Sequence, residues 1–536
     1  MLKRSLTTVS VLALALIVSA CSAPAPAPTS DNGLVSPGPL PTAWPSGYDP
    51  NGSLHIGFVA PPRTLDPALS TGIASLEYLT PVYDRLIQID NNLQLQPMLA
   101  TDWSFSSDGS TLTMKLRDDI TFHDGTPFTA DAVVQNITRS KTLDGSLIKA
   151  SLATVQSVAA VDAHTVKFQL APGAAGLPSV LSGVAGMMVS PACLSNAALA
   201  TAVTNCGTGP YQLSAYQPNV SVSYTQAQAP GKFWEPGAGL LHDLTITYIA
   251  DADAAINGVQ SGDLDVAYSI GTNVPKAQSV VASNTSKFQG MMSTLTSQVV
   301  LQFNSNIPTM NDKVLRQAAG MAIDRDAINQ LYGGTCTPAD QPYIAGHWAH
   351  DDNLVDQNAY DPAGAKKLLQ DAGQTSPHIT LSAIAADQLA VQGLQAQLQA
   401  VGFQVDIQTL SIPTLISNWA QGQVSTIAGN LAALDYDPST LFSTYFSNAK
   451  GQIAPEYLTQ LQPLMQQAGD PTLSQDQRAA VYAKVFTILN QEALVIPICN
   501  PSAFWTAPQY VGGLSALFTT SNGAVDTRYL YRQTGQ

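Results

Sequence analysis

The chain has 536 residues, which is too long for one ordinary hydrophobic core and implies two or three lobes. Charged residues make up only 11% of it, against about 25% in typical soluble domains, so uncharged side chains must form much of the surface. The formal net charge of −15 repels phosphate backbones and argues against nucleic acid as a partner.

The first 20 residues have the order of features of an export signal. Lys3 and Arg4 precede an apolar run over residues 9–18, which is about as long as the core of a signal peptide and too short to cross a bilayer. Small residues then lead to Cys21, and this resembles a bacterial lipobox, in which cleavage leaves the cysteine as the lipid-modified first residue. We therefore expect a lipoprotein signal peptide over 1–20 and a lipid anchor at Cys21, which holds the protein on the extracytoplasmic face of the membrane. An ordinary signal peptide with a chance cysteine is the alternative.

Residues 21–52 are rich in Pro, Ala and Ser. Such a segment cannot bury enough apolar area to offset the entropy lost on ordering, and its prolines keep it extended. We expect a tether that holds a folded body away from the membrane. No second apolar run of about 18 residues follows, so the sequence predicts no other membrane span.

Four cysteines remain downstream, at Cys193, Cys206, Cys336 and Cys499. Outside the cytosol an even number favours disulfides, and a bridge between Cys193 and Cys206 would close a short loop with about 3 kcal/mol of stabilisation. If these two pair, Cys336 and Cys499 pair by elimination, but the sequence alone leaves the connectivity open. No CxxC motif or cysteine–histidine set with zinc spacing occurs, so neither a metal nor a cofactor is expected.

Alternating apolar residues predict half-buried strands in the first half, at 111–116, 166–170 and 244–248. Between these strands, Asp-Gly pairs supply turn chemistry. The first half is therefore predicted to be rich in β-sheet.

The second half alternates helices with strands. Asp361 followed by Pro362 predicts the start of a helix over 363–372, because the carboxylate caps the first turn and proline tolerates its first position. A second helix is ended by Gly402, and a strand over 403–407 follows. Composition and pattern thus predict an exported, mixed α/β protein of several lobes, without indicating a ligand.

Several segments resemble one family, the most specific being Phe-His-Asp-Gly-Thr-Pro-Phe-Thr at 122–129. The other segments lie in family order at 81–86, 95–103, 207–213, 304–325 and 360–369. On these segments the chain resembles the oligopeptide-, dipeptide- and nickel-binding proteins of bacterial ABC importers, which form extracellular solute-binding protein family 5. The resemblance covers about residues 53–520.

The resemblance implies an α/β fold of two lobes that close like a clamp. The implied type is periplasmic-binding-protein-like (class II, cluster C), with mixed sheets and an extra subdomain inserted in lobe 1. The implied boundaries are 53–80, 191–270 and 501–536 for the lobe 1 core, 81–190 for the inserted subdomain and 271–500 for lobe 2. The chain would cross between the lobes near 268–275 and 497–501, and these crossings would form the hinge.

The resemblance also implies a monomeric receptor without enzymatic activity. It would bind a small molecule or peptide and deliver it to the permease and ATPase subunits of an ABC importer. Closure buries the ligand and changes the surface that both lobes present, so the importer can distinguish a loaded receptor from an empty one. The chain has no GxxxxGK[ST] phosphate loop, so ATP hydrolysis belongs to the partner.

One ligand-binding residue in lobe 2 follows from the resemblance. Peptide-binding members pair a carboxylate with the α-ammonium of the peptide, and the matching residue is Asp435, because a carboxylate desolvated in a closed cleft needs a cation. A solvated loop aspartate is the alternative. Some peptide binders carry Trp and Arg where this chain has Ala432 and Gly429, so recognition of both peptide termini is not implied.

Five further positions are implied in or beside lobe 1. Thr71, Gly72 and Ile73 match a segment that lines the cleft in the family. Tyr268 matches a residue at the mouth of the hinge, and Trp505 follows the second crossing, where its ring is placed to cover a ligand. Packing in the core is the alternative for each of them.

Other functions remain open from the sequence. Ser146 and Lys149 fit the SxxK motif of penicillin-recognising enzymes, but no Lys-Thr-Gly accompanies them. His347 and His350 lie beside two aspartates, a set that suits nickel, although the neighbouring Pro and Gly favour a solvated loop. Relatives also bind oligosaccharides or nickel complexes, and a lipoprotein that senses its ligand without transport needs the same clamp.

Overall fold

A computed structural model of the protein describes residues 32–70, 73–229, 231–294, 297–433, 436–439, 452–517 and 525–535. Its α-helices are α1 (Ile73–Leu79), α2 (Ala130–Thr142), α3 (Leu177–Val180), α4 (Ala252–Ser261), α5 (Val274–Ser283), α6 (Lys313–Met321), α7 (Arg325–Leu331), α8 (Pro362–Asp371), α9 (Gln388–Val401), α10 (Ile412–Ala420), α11 (Pro455–Ala468) and α12 (Gln475–Gln491).

The strands fall into two large groups and several short pairs. They are β1 (Leu34–Val35), β2 (Ser53–Phe58), β3 (Ile87–Ile89), β4 (Leu95–Pro97), β5 (Ala100–Phe105), β6 (Thr111–Leu116), β7 (Val155–Asp162), β8 (Thr165–Leu170), β9 (Tyr211–Gln217), β10 (Ser221–Gln226), β11 (Asp243–Tyr248), β12 (Val266–Ile270), β13 (Phe288–Thr294), β14 (Ser297–Phe303), β15 (Cys336–Pro338), β16 (His378–Ala383), β17 (Gln404–Thr409), β18 (Thr426–Ala433), β19 (Val495–Pro508), β20 (Val511–Gly512) and β21 (Tyr531–Arg532).

Local sequence signals set several of these boundaries. The start of α8 is confirmed at Asp361 and Pro362, since the Asp361 carboxylate accepts a hydrogen bond from the Gly364 N–H. The helix α9 ends as predicted at Gly402, whose φ of +115° suits glycine because L side chains rarely adopt it. The strands predicted in the first half are confirmed as β6, β8 and β11.

A mixed sheet forms the core of lobe 1, in the order β1-β13-β19-β12-β2-β11-β10-β9. The strand β2 is parallel to β11 and β12, whereas β19 is antiparallel to β12 and β13. One face packs against α4 and α5, with Phe504 among the buried residues, and the other face carries Tyr268 and Trp505. The inserted subdomain is a four-stranded antiparallel sheet, β5-β6-β8-β7, covered by α2, and its core is continuous with that second face.

The core of lobe 2 is built around β14, which pairs with β18 on one side and with the first half of β19 on the other. The parallel pair β16–β17 lies beside β18, and α6 to α9 pack on these strands. A second core lies between α11 and α12. The α12 helix begins with a capping box, in which Ser474 and Gln477 each bond the other's backbone N–H.

The strand β19 belongs to both lobes. Its first half pairs with β14 up to Cys499, and from Ser502 onward it pairs with β13. The other crossing lies between Thr294, where β13 ends, and Ser297, where β14 begins. The prediction of a crossing near 268–275 is therefore wrong, because α5 and β13 still pack on the lobe 1 sheet and lobe 2 starts later than residue 271.

A buried ion network fastens the C-terminal segment to lobe 1. The Arg528 guanidinium lies 2.6 Å from Asp84, 3.0 Å from Glu235 and 3.1 Å from Asp526, and Arg85 lies 2.9 Å from Asp526. The Arg528, Asp84, Asp526 and Arg85 side chains are fully buried. Because a buried charge is costly unless it is paired, these contacts hold together parts of the chain that are distant in sequence.

Disulfides join Cys193 to Cys206 and Cys336 to Cys499. The second links β15 to β19 at the point where β19 passes between the lobes. Within the described part of the chain, no helix is long and apolar enough to cross a membrane.

Candidate functional site between the lobes

The two lobes touch each other at a surface outside the strands that cross between them. The Ala175 N–H of the inserted subdomain donates a hydrogen bond of 2.9 Å to the Gly469 carbonyl of lobe 2. Beside it, Gly176 approaches Asp437 and Ser439 so closely that a Cβ on Gly176 would collide with the Ser439 hydroxyl. The structure is therefore that of a closed clamp, and glycine at 176 permits the approach.

The lobe 2 side of this contact is held by aromatic rings and a buried ion pair. The Arg478 Nη2 lies 2.8 Å from the Asp437 carboxylate, and its guanidinium stacks over the Trp348 ring at 5.1 Å. The Tyr436 carbonyl accepts hydrogen bonds from the Trp348 Nε1–H at 3.0 Å and from the His347 Nε2–H at 2.9 Å. The described residues immediately after Asp435 are thus fixed in position.

His347 is a buried structural residue, so the expectation of a solvated loop is wrong. It is 6% exposed and stacks on Tyr343, and its Nδ1 accepts the Ala349 N–H at 3.1 Å. Burial lowers the pKa of His347 to about 4, which keeps the imidazole neutral. Among the described residues, no group of three or more His, Cys, Asp or Glu side chains is arranged to hold a metal ion.

Tyr268 and Trp505 lie side by side near the hinge. They are paired across β12 and β19, and their ring centroids are 4.6 Å apart. Both are fully buried and belong to the core of lobe 1. Their polar atoms, the Tyr268 hydroxyl and the Trp505 Nε1, have no hydrogen-bond partner among the described residues.

Glu77 on α1 adds a carboxyl group to this side of lobe 1. It is fully buried, and its Oε2 accepts the Val525 N–H at 3.0 Å, while its Oε1 has no partner within the described ranges. Burial raises the pKa of Glu77 well above its usual value, so the group tends to hold its proton. Sequence reasoning missed Glu77, because an isolated acidic residue at a helix end carries no distinguishing pattern.

Four of the predicted site residues have no described position in the structure. Cys21, Thr71, Gly72 and Asp435 lie outside the described residues. Ile73 is the first residue of α1.

Asp387 and Asn430 form a polar pair in lobe 2 that sequence reasoning also missed. The Asp387 Oδ2 accepts the Asn430 N–H at 3.0 Å, and the carboxylate lies against Gly429, where any side chain would collide with it. Burial raises the pKa of Asp387 to about 6. In the structure Asp387 lies four residues after the end of β16 and directly before α9, which is where α/β folds place ligand-binding groups.

Among the described contacts, Ser146 and Lys149 of the SxxK motif do not hydrogen-bond to each other. The Ser146 hydroxyl donates to the Ser140 carbonyl at 2.6 Å, and Lys149 is exposed. A serine nucleophile needs its base within hydrogen-bond reach, and that contact is not among those made by the described residues.

The architecture defines a two-lobed solute-binding clamp, in which two α/β lobes are joined by crossing strands and meet at a second surface. The chain belongs to the bacterial extracellular solute-binding proteins, family 5, whose middle region matches residues 94–452. This family provides the extracytoplasmic binding components of ABC importers, and the resemblance found in the sequence is confirmed.

Similar proteins include receptors for several kinds of solute. The glutathione-binding protein GsiB of Escherichia coli (strain K12) is 25% identical over 486 residues, covering 83% of this chain and 90% of that protein. NikA from Brucella suis, solved with Fe(III)-EDTA, has a TM-score of 0.78 at 22% identity and covers 90% of this chain and 100% of its own. DppA from Helicobacter pylori, solved with the peptide STSA, has a TM-score of 0.75 at 20% identity and covers 91% and 99%. The solved structures establish the two-lobed fold.

Proposed function

We propose that the protein is a lipid-anchored receptor that binds a peptide or peptide-like solute by lobe closure and delivers it to the permease of an ABC importer. The observation that carries the proposal is the contact between the lobes at Ala175 and Gly469, because lobes that meet outside their crossing strands enclose the space between. Closure changes the outer surface that an importer contacts, so the loaded state can be recognised.

A peptide-like solute is supported by the relatives and by one position of this chain. The relatives include proteins named for glutathione and peptide ligands. In this chain, Asp435 directly precedes Tyr436 in the sequence, and the Tyr436 carbonyl accepts hydrogen bonds from His347 and Trp348. The carboxylate of Asp435, at the position that the family resemblance assigns to the peptide terminus, would pair with the α-ammonium of a peptide.

Binding is tested with lipid-free protein in which the leader and Cys21 are removed. We expect a solute to co-purify and to be identified by mass spectrometry, and we expect calorimetry to detect binding of short peptides or glutathione to stripped protein. Asp435→Asn should weaken binding at least about tenfold through loss of the ion pair, whereas the exposed Asp371→Asn should not. Absence of any bound or binding solute in these classes would refute the proposal.

Anchoring is tested in cells. The native chain should fractionate with the membrane and incorporate a radiolabelled fatty acid, and Cys21→Ser should lose the label. We propose a monomer, which light scattering of the lipid-free protein would check. A Cys21→Ser variant that still carries the label would contradict the assignment of the anchor.

A further inference from the structure

Asp387 lies at the edge of lobe 2 that faces lobe 1. It ends a short 3-10 helix, Ala385–Asp387, that follows the carboxyl end of β16 and leads into α9. Tyr332, whose hydroxyl lies within electrostatic range of Asp387, also approaches Gly271, the residue after β12 in lobe 1. A carboxylate in this position lies where the ligand crevice of an α/β lobe opens.

The Asp387 carboxylate is buried in lobe 2. The residue is only 6% exposed, and none of the described Lys, Arg or His side chains forms an ion pair with it. One of its oxygens accepts the Asn430 N–H, and the other accepts no hydrogen bond from the described part of the chain. A buried carboxylate with so few partners is costly, and the cost is removed when a cation pairs with it.

Two neighbours on β18 support a role in binding. The Asn430 Oδ1 is a second buried acceptor without a partner among the described residues. Gly429 keeps the space beside the carboxylate free of a side chain, since even a Cβ there would collide with Asp387. Two acceptors in adjacent positions suit a group with several N–H donors.

We propose that Asp387, together with Asn430, forms a subsite that pairs with a cationic N–H group of the solute, an ammonium or a guanidinium. The proposal rests on the proposed function and specifies the charge of one part of the solute. Since Asp435 is the proposed partner of the α-ammonium, Asp387 would pair with a second cation, such as a basic side chain. The net charge of −15 also attracts cationic solutes.

A small probe tests the subsite without knowledge of the natural solute. Thermal unfolding is compared in methylguanidinium chloride and in methylurea, which has the same shape without the charge, at matched ionic strength. For the native protein we expect about 50 mM methylguanidinium to give a melting temperature about 1–2 °C higher than methylurea does. Asp387→Asn should abolish this difference, and the exposed Asp406→Asn in β17 should retain it. An equal difference in the native protein and Asp387→Asn would overturn the proposal.

Binding of two peptides then tests the subsite and the proposed receptor function separately. Arginyl-alanine should bind the native protein at least about tenfold more tightly than citrullinyl-alanine, its uncharged analogue, and Asp387→Asn should lose that preference. Equal binding of both peptides by the native protein would overturn the subsite and leave the receptor function standing. A charge-dependent methylguanidinium effect with no binding of either peptide would support the subsite and count against a peptide receptor.

Discussion

Arg528 is expected to be the residue whose loss destabilises lobe 1 most. It lies between Asp84, Asp526 and Glu235, all buried, and Arg85 contacts only Asp526 among them. Burial raises the pKa of Glu235, so the charges of the two aspartates account for most of the effect. Arg528→Met leaves these carboxylates without enough cations, and removing one partner from a buried pair costs about 3–5 kcal/mol.

The measurement is urea unfolding of the lipid-free protein, followed by tryptophan fluorescence. The control is Lys367→Met, which removes an exposed ion pair with Asp371 and should cost less than about 0.5 kcal/mol. Adding Asp84→Asn to Arg528→Met should recover part of the lost stability, because the uncompensated charge is then reduced. A loss below about 1 kcal/mol for Arg528→Met would refute the reasoning.

Three further changes test other parts of the structure. Gly176→Val should weaken solute binding at least about tenfold in calorimetry, because the added side chain collides with Ser439 and keeps the lobes apart. Cys336→Ser combined with Cys499→Ser should lower the free energy of unfolding by about 5 kcal/mol, against about 3 kcal/mol for loss of the other disulfide, since the separations are 163 and 13 residues. Burial favours the protonated form of Asp387 and raises its pKa to about 6. The free energy of unfolding of the empty native protein should therefore fall by up to about 3 kcal/mol as the pH rises from 4 through 6. Asp387→Asn should remove that part of the pH dependence, and an unchanged pH profile in urea unfolding would contradict the assignment.

Local signals made several elements predictable. A capping aspartate and proline mark the start of α8, and Gly402 marks the end of α9, because the preference of each residue acts within one helical turn. The lobe boundary was not predictable in the same way. The strand β13 follows a helix, as the first strand of a new lobe would. Only its pairing with β19, about two hundred residues later in the chain, places it in lobe 1.

In the candidate site, too, the features that depend on contacts distant in sequence were not predictable. The burial of His347 depends on a hydrogen bond to Tyr436 and on stacking with Tyr343, contacts that its local Pro- and Gly-containing sequence does not reveal. Asp387 stands where a helix cap would stand, and a cap is the commoner reason for an aspartate there. Its carboxylate instead contacts β18 through Asn430, which local sequence cannot show.

The proposed function requires two lobes that close on a solute. Small-angle X-ray scattering of stripped, lipid-free protein, before and after saturation with the co-purified solute, tests this directly. We predict a smaller radius of gyration with solute for the native protein and no decrease for Gly176→Val. Identical scattering curves for the empty and the saturated native protein, with binding verified by calorimetry, would contradict closure.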